Sequence, residues 1–441
     1  MFFLASRFWV QFSKQCLLLA CFFAFSFNHI ALTKYHFVLG QASFYCIALA
    51  LLTSHFKIEW RNLFFVAGLI LYCLASARFN CVMGYGICTN RPYTAAISIL
   101  FVFICVQYTA FLVEKNLGFE QDIVNYFVYG AWAVVILAIP DIWTIAHGGV
   151  ISASPYGLDS LSSLGMAPYG MNRLRGFTQE PSYLGMVIAV LYPFCFIRLN
   201  QKCTFPRLIL VIGLWTCLAF SLSRTGLLTC LLLSVLILLE WPKRLLLVIL
   251  GLGCLALGWV TFPELRTGSF LSLSWMPLFA ATNLDGSSLV RSAHIVAAIK
   301  TWLAHPILGV GLGQSGYEIP QFYPGWYTPA SPEYGLWQPK AVFGGVPSFS
   351  FIPKLLAEIG LLGVWILCWW VVPVLRTVIR RMRSFLNNAF AKQFTYSFLG
   401  FLIASFGIDG YLYLPAWLVL GALWGLIRQK SRGAQEVLPS S

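Results

Sequence analysis

Runs of about twenty apolar residues recur along nearly the whole of this 441-residue chain, and no other feature narrows its fold so far. A helix needs about 20 mostly apolar residues to cross the hydrocarbon of a bilayer. In that medium every backbone N–H and C=O must be satisfied within the spanning structure itself. The short alternating segments of an outer-membrane barrel are absent from the sequence. The expectation is an all-α, polytopic membrane protein. Composition agrees: 59% of the residues are hydrophobic and 10% charged, against roughly 25% charged in an ordinary soluble domain.

Twelve spans are expected, near 15–33, 37–54, 62–79, 93–113, 122–145, 181–198, 206–222, 225–240, 244–261, 351–375, 393–409 and 411–427. Gly407, Gly410 and Pro415 leave the last two open to being a broken or re-entrant pair. Lys and Arg collect in cytoplasmic loops. Placing the N-terminus inside puts most of the 29 cations there, among them Lys57, Arg61, Arg198, Lys243 and Arg244. An even number of spans returns the C-terminus to the cytoplasm, where Arg428, Lys430 and Arg432 agree. The first apolar stretch lacks a small-residue cleavage site and reads as a signal anchor. One integral domain over 1–441 results, with two long outer segments, 146–180 and 262–350.

The net charge of +14 raises the question of nucleic acid. The cations are spread over short loops, however, so none is expected as a partner. Arg380, Arg381 and Arg383 read instead as an anchor on anionic lipid head groups. Most of the 13 cysteines lie inside spans and behave as small apolar side chains. Cys81 and Cys88 fall together in an outer loop, where an oxidising compartment would let them pair. No Cys or His spacing resembles a metal site, and no cofactor is expected.

Cations on the outer side run against the insertion rule and call for a reason. Arg173 and Arg175 precede Glu180, Pro181 and Ser182 at the expected start of the sixth span. Pro181 suits a first helical turn. Glu180 then caps the helix, or stands as a carboxylate beside two guanidinium groups that grip a diphosphate by bidentate hydrogen bonds. Arg224 lies in the hairpin SLSRTG (221–226) and either snorkels at the border or meets a lipid-linked phosphate there.

The larger outer segment holds one helical stretch, about 287–304, with Asp285 as its N-cap and His305 and Pro306 at its end. Arg291 and His294 share a face of it one turn apart. His294 is either a packed histidine or a base, and so is His305. The turn GVGLG (309–313) follows. It is not a dinucleotide fingerprint, since no strand precedes it. An aromatic, Pro-rich run over 317–338 includes Tyr317, Trp326, Tyr327, Tyr334 and Trp337. These rings suit an interfacial belt as well as a platform for sugars.

Taken together, the Arg–GF–EPS segment, the SxSRTG hairpin, the R…W…HPILGVGLG block and LLAEIGLLG (355–363) resemble the O-antigen polymerase and ligase family of bacterial inner-membrane glycosyltransferases. The matching order runs from about 173 to 363, and the N-terminal third matches only in hydropathy. The resemblance implies a multi-pass inner-membrane enzyme whose active site faces the periplasm, so that 146–180 is a first periplasmic substrate segment and 262–350 a large periplasmic loop with short helices.

Its implied substrate is an undecaprenyl-diphosphate-linked oligosaccharide, with membrane lipids, a chain-length regulator and a flippase of the same pathway as further partners. Glu180, Arg291 and His294 become catalytic candidates. Arg173, Arg175, Arg224, Arg291, His305, Tyr317 and Trp326 become substrate-binding ones. Ligases of the family carry a histidine shortly before the LxxLAExG segment, and 346–352 (VPSFSFI) has none. That departure favours the polymerase branch, with Glu180 in place of the missing base. A ligase that moves finished glycan to lipid A core or protein, and a non-enzymatic flippase or exporter, are the alternative readings.

Overall fold

The computed structural model describes residues 2–23, 42–53, 60–82, 91–116, 118–147, 174, 181–239, 286–331, 334–337, 346–385, 388–407 and 413–436. Eight helices come first: α1 Phe2–Phe22, α2 Ala42–Leu52, α3 Trp60–Val82, α4 Arg91–Lys115, α5 Phe119–Ala146, α6 Pro181–Gln201, α7 Phe205–Ser221 and α8 Arg224–Leu239. Then follow α9 Gly286–Ala304, the single turn α10 Ser315–Glu318, 3-10 turns at Ile319–Phe322 and Tyr334–Trp337, α11 Phe351–Phe385, α12 Ala389–Ala404 and α13 Leu414–Glu436. No strand occurs among the described residues.

Among the described residues, five segments are long and apolar enough to cross a membrane: Leu63–Val82, Ala95–Lys115, Phe119–Ala146, Ser182–Gln201 and Phe351–Trp369. Phe205–Ser221 and Arg224–Leu239 are apolar but shorter. The molecule is an all-α membrane protein. Two expectations need adjustment. The first helix begins at Phe2 instead of near residue 15. The expected 351–375 span is a longer helix, broken inside at Gly360 (φ 59°, ψ −173°). The expected ninth span, Asp285 and Cys88 lie outside the described residues. Cys81 is disulfide-bonded.

Local signals explain several helix ends. Asn388 caps α12, its Oδ1 accepting from the N–H of Phe390 (2.9 Å) and Ala391 (3.3 Å). Pro206 stands in the first turn of α7, which ends at Leu222 in the left-handed region (φ 50°). Pro415 falls in the first turn of α13, where its missing N–H has no helical acceptor to lose.

The core is built around α6, which packs against α5, α7, α8 and α12. Phe127 of α5, Phe194 of α6 and Phe394 of α12 meet ring to ring at its centre, 4.8 and 5.6 Å apart. Small residues let the backbones close up, as membrane helix interfaces require. A Cβ on Gly400 of α12 would stand 2.4 Å from the Ala189 carbonyl of α6. A second, smaller cluster joins α3, α4 and α11 through Leu69, Cys73, Ala95, Ala96 and Ile359, with Leu312 from the turn between α9 and α10.

Candidate active site

The start of α6 is where the separate sequence constellations meet. Ser182, in its first turn and buried, accepts a hydrogen bond from Arg291 Nη2 (3.1 Å). One turn further along, Gly185 faces Gly226 of α8 so closely that a Cβ on Gly226 would lie 2.5 Å from the Gly185 Cα. Such contact fixes the first turn of α8, and with it Arg224, beside the first turn of α6. The hairpin before α8 is self-bonded: Ser221 Oγ donates to the Leu218 carbonyl (2.8 Å), and Ser223 Oγ accepts from Gly226 N–H (3.3 Å) as the α8 cap.

Leu174 belongs to the same assembly. It is fully buried, and its N–H donates to the Phe220 carbonyl at the end of α7 (2.9 Å). Its sequence neighbours Arg173 and Arg175, and Glu180, lie outside the described residues.

α9 carries Arg291 and His294 as the spacing predicts, but the two side chains meet different surroundings. Arg291 is partly exposed, with its guanidinium over the Phe349 ring (5.6 Å to the centroid). Phe349 holds φ 53°, a left-handed backbone that bulky residues rarely adopt. Such strain costs on the order of 1–3 kcal/mol and persists only where the surroundings enforce it. Here Ser348 Oγ donates to the Ser350 carbonyl (2.9 Å), and Phe351 N–H donates to Ser405 at the end of α12 (2.9 Å). The result is a ring held under a cation.

His294 is wholly buried. Its Nδ1 lies 2.7 Å from the Pro347 carbonyl and its Nε2 3.0 Å from the Tyr323 hydroxyl. Phe349, Tyr323 and Tyr327 surround the ring at 5.0, 5.2 and 6.0 Å between centroids. Trp326 and Tyr334 pack on the same group. The aromatic run is thus first a small core packed around His294. Tyr317 is half-buried in α10, and Trp326 half-buried against Tyr327. Burial, together with Tyr327 and Tyr334, pushes the Tyr323 phenol well above its ordinary range.

His305 sits 14 residues along from Arg291, about 21 Å at helical rise, so α9 does not bring it to the Arg291–His294 end. Burial lowers its imidazole below the ordinary value. Beyond it the glycine turn takes three left-handed residues, Gly309 (φ 66°), Gly311 (φ 103°) and Gly313 (φ 74°). The turn is clamped to the break in α11. Val310 and Gly311 N–H donate to the Ala357 (2.8 Å) and Glu358 (2.9 Å) carbonyls, and Leu361 and Leu362 N–H donate back to Pro306 (2.9 Å) and Ile307 (3.1 Å). Ser315 Oγ donates to the buried Glu358 carboxylate (2.8 Å). Glu318, buried close by, accepts from Gln321 Nε2 (2.9 Å), and burial raises its carboxyl pKa.

Sequence reasoning passed over two sets of residues. Tyr72, Ser76 and Asn80 of α3 line one face and bind carbonyls of the clamp: Ile359, Leu308 and Gly309, each at 2.8 Å. Their signal was polar groups at i, i+4 and i+8 in an apolar helix. Tyr323 had no such signal, since its run has no period.

In this helical membrane protein Arg291, the strained Phe349 and the first turn of α8, which Arg224 opens, are thus held at the start of the enclosed helix α6. The family comparison is narrower. Residues 208–368, from α7 to the middle of α11, match the family model described as O-Antigen ligase. Over that stretch, less than half of its length, the chain is similar to the O-antigen ligase family. No curated protein matches the chain.

Proposed function

We propose that the protein is an O-antigen or related surface-polysaccharide polymerase, acting at the periplasmic face of the inner membrane on undecaprenyl-diphosphate-linked repeat units. The observation that carries the reading is the seating of Arg291 on Ser182 and Phe349 at the α6 turn that also receives the start of α8. Arg224 opens that helix, and Arg173 and Arg175 flank the anchored Leu174 in sequence.

In this reading an acceptor sugar hydroxyl attacks the anomeric carbon of the donor glycan, and the polyprenyl diphosphate leaves. Negative charge grows on the leaving group, so prealigned guanidinium groups lower the barrier most where they meet it. Arg291 is prealigned because Ser182 and Phe349 fix its fork before substrate arrives. Guanidinium groups supply the positive charge that the departing diphosphate needs.

The polymerase branch is preferred because 346–352, where the family's ligases carry a histidine, offers the Pro347 carbonyl, Ser348, Phe349 and Ser350 instead. The ligase reading is kept for one observation: the family model that matches is described as a ligase. The polysaccharide of a deletion strain separates them. A lost polymerase leaves core capped by a single repeat, and a lost ligase leaves the core bare. Purified protein that cannot lengthen lipid-linked repeats in detergent would sink the polymerase reading.

A further inference from the structure

A group that takes a proton from a sugar hydroxyl must come within about 2.6–3.2 Å of it, directly or through one intermediary. His294, at 0% exposure, has no direct approach. Its hydrogen-bond partners define the indirect one. The Pro347 carbonyl, 2.7 Å from Nδ1, can only accept, so Nδ1 carries the hydrogen. In the neutral ring Nε2 is then the acceptor, and the Tyr323 hydroxyl 3.0 Å away donates to it. Two lone pairs of the Tyr323 oxygen are left, and Tyr323 is only half-buried.

We propose that Tyr323 is the catalytic residue that receives the acceptor hydroxyl, and that His294 acts through it as the final proton acceptor. The inference rests on the glycosyl transfer proposed above. As the sugar oxygen bonds to the anomeric carbon, its O–H proton passes to the Tyr323 oxygen. The Tyr323 proton moves in the same event to His294 Nε2. The anomeric carbon–oxygen bond to the diphosphate breaks, and the diphosphate departs with that electron pair. Two protons each cross one hydrogen bond, so that His294 gains one proton net and the tyrosine ends neutral, as it began.

The surroundings fit a relay better than a tyrosinate. Burial and the two neighbouring phenols oppose a free negative charge on Tyr323, so its proton has to leave only as another arrives. The Pro347 carbonyl keeps its hydrogen bond in both states of the imidazole. The Phe349 ring is shared by both sites, with His294 5.0 Å from its centroid and the Arg291 guanidinium 5.6 Å from it. The proton acceptor and the diphosphate-binding cation are therefore held on one scaffold residue.

The test is polyprenyl diphosphate release by purified full-length protein with lipid-linked repeat units, a readout common to polymerase and ligase chemistry. Y323F keeps the ring in its aromatic core and removes only the hydroxyl. We expect kcat to fall by about 10²–10⁴-fold with little change in KM. H294Q still offers an oxygen to Tyr323 but cannot take its proton, and should fall as far. The double variant should be no slower than the slower single one, because the residues act as a unit.

Retention of at least about a third of wild-type kcat by Y323F, or losses that multiply in the double variant, would overturn the proposal. Replacing Tyr323 by 3-fluorotyrosine alters the acidity of the hydroxyl without emptying the core, and an unchanged kcat there counts against it too. Product analysis of the wild type keeps the two readings apart. Glycan transferred to something other than a further repeat defeats the polymerase assignment while Tyr323 is still judged by diphosphate release. No release with any acceptor removes both.

Discussion

Gly360→Ala tests the clamp that holds the glycine turn after α9 to the break in α11. Gly360 takes φ 59° and ψ −173°, a region open almost only to glycine. Forcing alanine into it costs about 1–3 kcal/mol. The added Cβ would stand 2.3 Å from the Ile307 carbonyl oxygen and 2.5 Å from Gly309 N. Both are backbone atoms and cannot rotate aside, so the turn must retreat. Retreat gives up the Leu361–Pro306 and Leu362–Ile307 hydrogen bonds, each worth about 0.5–1.5 kcal/mol net. The expected loss is about 2–6 kcal/mol in total. The assay is unfolding of the detergent-solubilised protein, followed by tryptophan fluorescence. Gly335→Ala, where an added Cβ meets nothing within 4 Å, is the control and should shift stability by less than about 1 kcal/mol. Equal stability of the two variants would refute the clamp.

Arg291→Ala should lower polyprenyl diphosphate release by about 10²–10³-fold, the scale of losing one transition-state donor. Arg291→Lys keeps the charge but not the planar fork toward Ser182, and should recover only part of that rate in the same assay. Gly226→Ala pushes a methyl to 2.5 Å from the Gly185 Cα. It should destabilise by about 1–3 kcal/mol, read as a lower melting temperature, and reduce activity with it. His305 has its pKa lowered by burial. The unfolded chain therefore binds more protons at mildly acidic pH. Its contribution is full above the ordinary value of 6.5 and is lost as pH falls through the lowered one. Wild-type melting temperature should drop more than that of His305→Gln between pH 7 and 5.

Apolar periodicity made the helical class legible, and the stretch 287–304 read almost as the α9 helix Gly286–Ala304. The i, i+3 spacing also put Arg291 and His294 on one face. What it could not convey is that the same face ends in two environments. That division is made by Phe349 and Tyr323, which reach α9 from segments with no period of their own. The break in α11 was hidden for a similar reason. AEIGLLG continues an apolar pattern without interruption, and only the carbonyls of 306–307 arriving from another segment make Gly360 leave the helix. Arg173, Arg175 and Glu180 were prominent in the sequence, and only their neighbours Leu174 and Ser182 connect them to the described structure.

The polar face of α3 bears on how the chain is assembled. Ser76, Asn80 and Tyr72 find their carbonyl partners 232, 229 and 287 positions later in the sequence. At synthesis rates of about 5–20 residues per second, the nearest of those partners emerges roughly 10–50 s after α3. During that interval α3 carries a hydroxyl, an amide and a phenol whose final acceptors do not yet exist. Hydrocarbon penalises such groups, so α3 is expected to stay near the insertion machinery or a wet groove until the glycine turn and α11 arrive. Its last hydrogen bonds would then mark the docking of the turn and α11 on α3, and a chain stopped before residue 306 should leave Cys73 of α3 open to a water-soluble thiol-directed probe.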